Sequence, residues 1–228
     1  MNKLFNFRLV FIAIAMLCTI QVSAQSRDFI RKQIDKWGEC RNVAITQTNG
    51  DLALYGKNGY AHSGCPEDLN QAIVSLNEAN LYIDDVQLTE EGRWLILVDN
   101  NEAVFNGIPE SLKNRLNKYY EADEVVNSVT FNDDGDWIVI TQNYVTTSDP
   151  DLTNEITKGC EKMGKVWAAC LTNDAMVIVY ENGYKMSGNV PSTLEDALDN
   201  VEFNVFRLKI AGECWFMADV DGNCSYDM

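Results

Sequence analysis

Few residues in this 228-residue chain have the types and spacing that catalysis or metal binding requires. Its one histidine, His62, stands three residues before Cys65. A thiol–imidazole dyad would need that ring within hydrogen-bond reach of the sulfur. The corresponding places forty-odd residues later hold Phe105 and Ile108, which marks both as packing positions. A single histidine excludes multi-histidine metal sites and weakens any Ser/His/Asp arrangement. Two acidic runs, "NDDGD" at 132–136 and "DVDGN" at 219–223, offer oxygen ligands of the kind calcium takes. The second lacks the glycine placement of an EF-hand loop, and Asp, Asn and Gly are favoured in turns for backbone reasons alone. Trp94 and Trp137 are placed alike in successive units and would suit sugar stacking if exposed. Leu52, Met176 and Cys214 are assigned to the same slot elsewhere, and a position accepting Leu, Trp and Met reads as core.

Seven cysteines are present, and Cys18 falls in the leader described next. The other six, Cys40, Cys65, Cys160, Cys170, Cys214 and Cys224, contain no C-x-x-C spacing. That removes the usual signature of a zinc ribbon or thioredoxin-type site. An even number in an exported chain makes disulfides expected. Cys40 and Cys65, both at element ends, form the favoured pair.

The leader is residues 1–24. Lys3 and Arg8 precede an apolar run from Leu9 to Ile20, and Val22-Ser23-Ala24 is a small-residue cleavage site, the pattern of a signal peptide. Met16-Leu17 before Cys18 do not suit a lipobox. The chain carries a net charge of −16, and of −18 without residues 1–24, whose only charges are Lys3 and Arg8. Such acidity disfavours nucleic acid and anionic lipid as partners. No other apolar run is long enough to span a bilayer, so no membrane insertion is expected.

The elements that would position a site are set by four prolines. Pro66, Pro109, Pro150 and Pro191 are 43, 41 and 41 residues apart, and leucine follows each at Leu69, Leu112, Leu152 and Leu194. Spacing near forty residues marks a repeat. Each unit starts with a short strand carrying Val43/Ile45, Val86/Leu88, Val129/Phe131, Ala169/Leu171 or Leu208/Ile210, with polar residues between, as in a half-buried strand. A glycine turn leads to an apolar second strand, such as "WLILV" or "WIVIT". A polar tip, exemplified by Asn58-Gly59, turns into a third strand, and Pro then opens an amphipathic helix. Leu69/Ala72/Ile73/Leu76 and Leu194/Ala197/Leu198/Val201 show the helical stripe.

The fifth unit ends without a helix, while residues 27–37 carry Ile30, Ile34 and Trp37 at helical spacing. The step from Ile34 to Val43 is nine residues, against ten from Leu76 to Val86. The expected fold is therefore an α+β repeat protein of five hairpin-plus-helix units closed into a propeller-like toroid. Its N-terminal helix completes the C-terminal unit, leaving no long sheet edge. The units run about 40–81, 82–124, 125–165, 166–204, and 205–228 with 25–39, in a single domain over 25–228.

"GDLALYGKNGY" (50–60) and "NGIPESL" (106–112) resemble a tandem repeat of exported bacterial proteins, G-x-W-x-x-L-Y-G-x-N-G-Y followed by G-I-P-x-x-L. The resemblance covers essentially all of 27–228, with the third and fifth units degraded. It implies the repeat fold and export, and it transfers no catalytic residue.

The function expected is an extracytoplasmic, non-enzymatic binding module with a protein or carbohydrate ligand, no cofactor and no metal. The alternatives are a glycan-binding or glycan-hydrolysing protein using paired carboxylates, and an inhibitor or structural partner of another exported protein. The tips supply the expected ligand contacts, Asn58, Tyr60, Asn101, Tyr144, Asn182, Tyr184 and Asp221. Amides, a carboxylate and tyrosine rings together suit a neutral polar ligand.

Overall fold

The computed structural model describes residues 25–99 and 101–228. The expected leader at 1–24 and Asn100 of the second tip lie outside them. Helix α1 spans 25–37. Five antiparallel sheets follow, each with strands in sequence order: β1 (Asn42–Ile45), β2 (Asp51–Tyr55), β3 (Gly59–Ser63); β4 (Ile83–Leu88), β5 (Trp94–Val98), β6 (Glu102–Asn106); β7 (Val126–Phe131), β8 (Trp137–Thr141), β9 (Val145–Thr147); β10 (Val166–Leu171), β11 (Ala175–Tyr180), β12 (Gly183–Gly188); and β13 (Arg207–Ala211), β14 (Cys214–Ala218), β15 (Cys224–Asp227). Helices α2 (Glu67–Glu78), α3 (Glu110–Glu121), α4 (Pro150–Met163) and α5 (Leu194–Asn200) connect them. This is an α+β repeat organisation.

The prolines act as helix openers, with local variations. Pro66 and Pro109 are the N-caps of α2 and α3, where a fixed φ suits the entry. Pro150 sits one residue later, and the Asp149 side chain caps α4 by accepting from the Asp151 N–H at 2.8 Å. After Pro191 a turn intervenes, and α5 is only seven residues long. Gly50, between β1 and β2, has φ +77°, and a Cβ there would lie 2.3 Å from the backbone of Gly64, so the two turns touch through backbone alone.

Each helix is a wedge between consecutive sheets. Leu69, Ile73 and Leu76 of α2 share a core cluster with Leu52 and Leu54 of β2 and with Trp94, Ile96 and Val98 of β5. The other face of β5, Leu95 and Leu97, packs with Leu112, Leu116 and Tyr119 of α3 and with Trp137 and Val139 of β8. Helix α4 joins β8 to β11, and α5 joins β11 to β14. Ile30 and Ile34 of α1 occupy a cluster with Ala211, Phe216 and Ala218 of the fifth sheet and Cys40, Val43 and Ala53 of the first. The middle strands are buried on both faces, so they read as continuous apolar runs instead of alternating ones.

That two-sided burial corrects one register assignment. The residue equivalent to Trp94 and Trp137, facing the preceding helix, is Trp215 in the fifth sheet and Asp51 in the first, not Cys214 and Leu52. Trp137 donates its indole N–H to Ser111 at 3.0 Å and Trp215 donates to Thr193 at 2.8 Å, both hydroxyls at helix starts. In the first sheet the same place holds a buried ion pair, Asp51 with Arg27 of α1 at 2.8 Å.

The first strands of the sheets lie against one another in the order β1, β4, β7, β10, β13 and back to β1. Their polar in-between residues are therefore not solvent-facing, as a half-buried strand would have them. Asn42, Asp85, Gln87, Ser128, Thr130 and Lys209 are all buried where these strands meet. The turns after the first strands are also laced together. Glu90 accepts from the Gln47 N–H at 2.8 Å and the Thr48 N–H at 3.1 Å, and Asp133 accepts from the Glu91 N–H at 3.0 Å.

Candidate functional site

The acidic runs and the His62/Cys65 pair are structural. Asp219 accepts from the backbone N–H groups of Asp221 and Asn223, both at 2.9 Å, which closes its own turn. Among the described residues no group of three or more His, Cys, Asp or Glu is placed to hold a metal ion. The Cys65 thiol donates to the Asp51 carbonyl at 3.2 Å. Burial, with the Asp51 charge behind it, pushes that thiol up to about 12, which keeps it protonated and poorly nucleophilic. Trp94, Trp137 and Trp215 are buried, so none offers an open stacking face.

The six cysteines are free thiols, against the expected bonding of Cys40 to Cys65. The reason is placement: Cys40 belongs to the cluster around α1, whereas Cys65 packs against the cluster around α2.

The expected tip residues stand on five separate hairpins, and most are tied to neighbouring helix ends. Asn58 donates to Asn80 at 3.3 Å, Asn101 to Asp123 at 3.2 Å, and the Asn182 N–H to the Met163 carbonyl at 2.9 Å. These bonds fasten the tips of the first, second and fourth sheets to the C-terminal ends of helices, a structural role the sequence did not separate from ligand binding. Tyr60 is half-buried against the first cluster, and the Tyr184 hydroxyl donates to Asp199 at 2.7 Å. Tyr144, 61% exposed, and the exposed Asn182 and Asp221 are the most open of the set.

A feature that the sequence reading missed lies where the first strands begin. Arg41 precedes β1, Tyr82 precedes β4 with Asp84 two residues on, Val126 and Asn127 start β7, and Phe206 precedes Arg207, the first residue of β13. They line one cavity of about 270 Å³, together with Asp219 and Val220 of the β14–β15 tip. Trp167 of β10 stacks on Phe206 with ring centroids 5.3 Å apart. All five sheets thus contribute to this mouth, directly or through that stack.

Arg41 is held rigidly. Its Nε donates to the Gly56 carbonyl at 2.7 Å, its Nη2 to Lys57 at 3.2 Å, and its guanidinium lies 4.5 Å above the Tyr82 ring. Burial lowers its pKa, and the Arg207 charge pushes the same way against the opposing effects of Tyr82 and Asp84. Arg207 donates to the carbonyls of Phe206 at 2.9 Å and Asp84 at 3.0 Å. The wall therefore combines two guanidiniums, two carboxylates, an amide and two rings, a set that can give and accept hydrogen bonds beside aromatic surface. The sequence signal was weak, because these residues fall at strand entries spread over 180 positions.

Behind the mouth is a closed polar hub. Asp85 accepts from Asn42 at 2.6 Å, Ser128 at 2.8 Å, the Val129 N–H at 3.2 Å and Lys209 at 3.0 Å. Lys209 also donates to Gln87 at 2.9 Å. Every member is buried and the carboxylate oxygens are occupied, so the hub is a structural lock and not a reaction centre.

Among the described residues no helix is long and apolar enough to cross a membrane. No protein-family model, curated protein or solved structure matches the chain.

Proposed function

We propose that this chain is an exported, non-enzymatic binding module, a five-unit propeller-like toroid that takes a carbohydrate at the mouth of its axis. The cavity lined by Arg41, Tyr82, Asp84, Asn127, Phe206, Arg207 and Asp219 carries this reading. Its volume of about 270 Å³ lies near the small end of ligand pockets and suits a sugar-sized molecule. Guanidinium, amide and carboxylate groups match vicinal hydroxyls, and the Tyr82 and Phe206 rings supply apolar surface. Export rests on the leader pattern and on the resemblance to the repeat of exported bacterial proteins. Closure is supported by the cyclic contact of the first strands and by the cluster that α1 shares with the first and fifth sheets. In each sheet the second-to-third-strand tip lies beside the start of the first strand. Asn58, Tyr60, Asn101, Tyr144, Asn182, Tyr184 and Asp221 are then outer contacts for a longer glycan.

A hydrolase is the second reading, because Asp84 and Asp219 line the same cavity and glycoside cleavage needs two acids. Against it, both Asp219 oxygens accept hydrogen bonds from its own turn. A glycan array with the intact protein, repeated with Arg207→Gln, is the test. Retention of defined glycans that falls at least tenfold in the variant supports binding at the mouth. Release of shortened glycan establishes the hydrolase. No retained glycan on a folded protein overturns the carbohydrate reading.

A further inference from the structure

The first and last parts of the fold meet at Cys40 and Cys224. The Cys40 N–H donates to the Gly222 carbonyl at 2.9 Å, two residues before Cys224. A Cβ built on Gly222 would stand 3.4 Å from the Glu39 Cβ and 3.8 Å from the Cys40 nitrogen, so segments 39–41 and 222–224 run side by side. Both cysteines belong to the cluster around α1, Cys40 fully buried and Cys224 packed against it half-buried. A disulfide needs Cα atoms roughly 4.4–6.8 Å apart, and the hydrogen bond from Cys40 to Gly222 brings the segment that carries Cys224 alongside. The two thiols also sense each other. After burial, the Cys224 charge is the largest influence raising Cys40, to about 12, and the Cys40 backbone N–H lowers Cys224. Cys160, Cys170 and Cys65 sit in or against other clusters, and Cys214 pairs with Ala211 at the opposite end of β14 from Ala218, the partner of Cys224.

We propose that Cys40 and Cys224 are a disulfide-forming pair that covalently closes the fold between its first and fifth sheets. The oxidant is a disulfide-bearing small molecule or protein. The Cys224 thiolate, the more accessible, attacks one oxidant sulfur, breaking that S–S bond and releasing one thiolate. The Cys40 thiolate then attacks the Cys224 sulfur of the mixed disulfide, forming the Cys40–Cys224 bond and expelling the second thiolate. The two cysteine protons pass to the departing thiolates, so the protein loses two electrons and the oxidant gains them. Burial of Cys40 makes the second step slow in the folded state, because little of it is thiolate at neutral pH. The bridge would enclose the chain between residues 40 and 224, and long loops gain most from closure in the chain-entropy account.

Full-length chain is incubated with oxidised glutathione at mildly alkaline pH, both folded and during refolding from denaturant, then digested without reduction. The expected result is loss of two thiols and one cross-linked peptide joining Cys40 to Cys224. Its companion is a rise in melting temperature on the order of 10 °C over the reduced protein, absent in Cys224→Ser. Cys40 joined to another cysteine, or both recovered as free thiols or glutathione adducts after refolding, overturns the proposal. Ligand retention by the reduced protein is a separate measurement, so failure of the bridge and failure of the binding reading are distinguishable.

Discussion

Lys209 Nζ lies 3.0 Å from Asp85 Oδ1, joining strands 124 residues apart in sequence that flank β1 on either side. Ala44 of β1 lines the same small cavity as Gln87 and Lys209, and the lysine also donates to Gln87 at 2.9 Å. Four of the five first strands hydrogen-bond through this one carboxylate or its lysine. Lys209→Met should cost about 3–5 kcal/mol, because it leaves Asp85 buried and unpaired. Asp85→Asn should cost a similar amount, and the double variant should fall short of the sum by more than about 1 kcal/mol. Urea unfolding of the four proteins checks this, and additive losses would show that the pair does not act as a unit.

The same carboxylate sets a pH dependence. Burial raises the Asp85 pKa, but Lys209, Arg207 and Asn42 more than offset it, holding the group at about 2 against an ordinary 3.8. The native state therefore binds this proton less tightly than the unfolded chain. Its stabilisation is complete above the unfolded value and is lost as pH falls through about 2. Asp51 has the opposite sign: burial raises it, only partly countered by Arg27, so its contribution declines as pH rises through the raised value. Melting temperatures between pH 2 and pH 7 should fall steeply in acid for the natural chain. They should fall less steeply for Asp85→Asn and more steeply for Asp51→Asn. Three parallel curves would remove both groups from the acid limb.

How far the fold was legible follows from which periodicities survive burial. Helical stripes such as Leu69/Ile73/Leu76 were readable because one face of each helix meets solvent. The middle strands are buried on both sides, so "LALYG" and "CWFMA" carry no alternation to say which residue faces which helix. That ambiguity put Leu52 and Cys214 in a slot that belongs to Asp51 and Trp215. Asp85 and Lys209 were unreadable for a different reason. In a single strand a polar residue between two apolar ones indicates a wet face, and only the assembled set of first strands turns that face inward. The cavity at the strand entries shares this property, because no one unit contains enough of it to be recognised.

Helix α1 should behave as core despite its terminal position. Arg27 reaches Asp51 at 2.8 Å and the Thr46 carbonyl at 2.7 Å, Ile30 and Ile34 are buried, and Trp37 stacks on Tyr55 at 3.9 Å. Removing residues 25–37 uncovers both the first and fifth sheets, and the truncated chain should lose its cooperative melt. Arg27→Met, which keeps the apolar stem but strands the Asp51 carboxylate, should cost about 3 kcal/mol. Adding a peptide of residues 25–39 to the truncated chain should restore part of the transition. A truncated protein that melts cooperatively near the full-length temperature would contradict the wedge role of α1.

Asp133 separates a turn from a calcium site most directly. One carboxylate oxygen accepts from the Thr89 hydroxyl at 2.5 Å and the other from the Glu91 N–H at 3.0 Å, both on the preceding sheet's turn. Its own N–H donates to Asn173 at 3.0 Å on the following one, and Arg93 donates to its carbonyl at 3.1 Å. One residue thus fastens three successive turns, and Glu90 repeats the motif one seam earlier through Gln47 and Thr48. Asp133→Ala should cost about 1–3 kcal/mol by leaving those donors with a weaker partner, water. Asp133→Asn should recover part of the loss, since an amide oxygen can still accept. Millimolar calcium or a chelator should leave the melting temperature of the natural chain unchanged, because the carboxylate oxygens already serve backbone and hydroxyl donors. A calcium-dependent rise that disappears in Asp133→Ala would instead make the cluster a metal site.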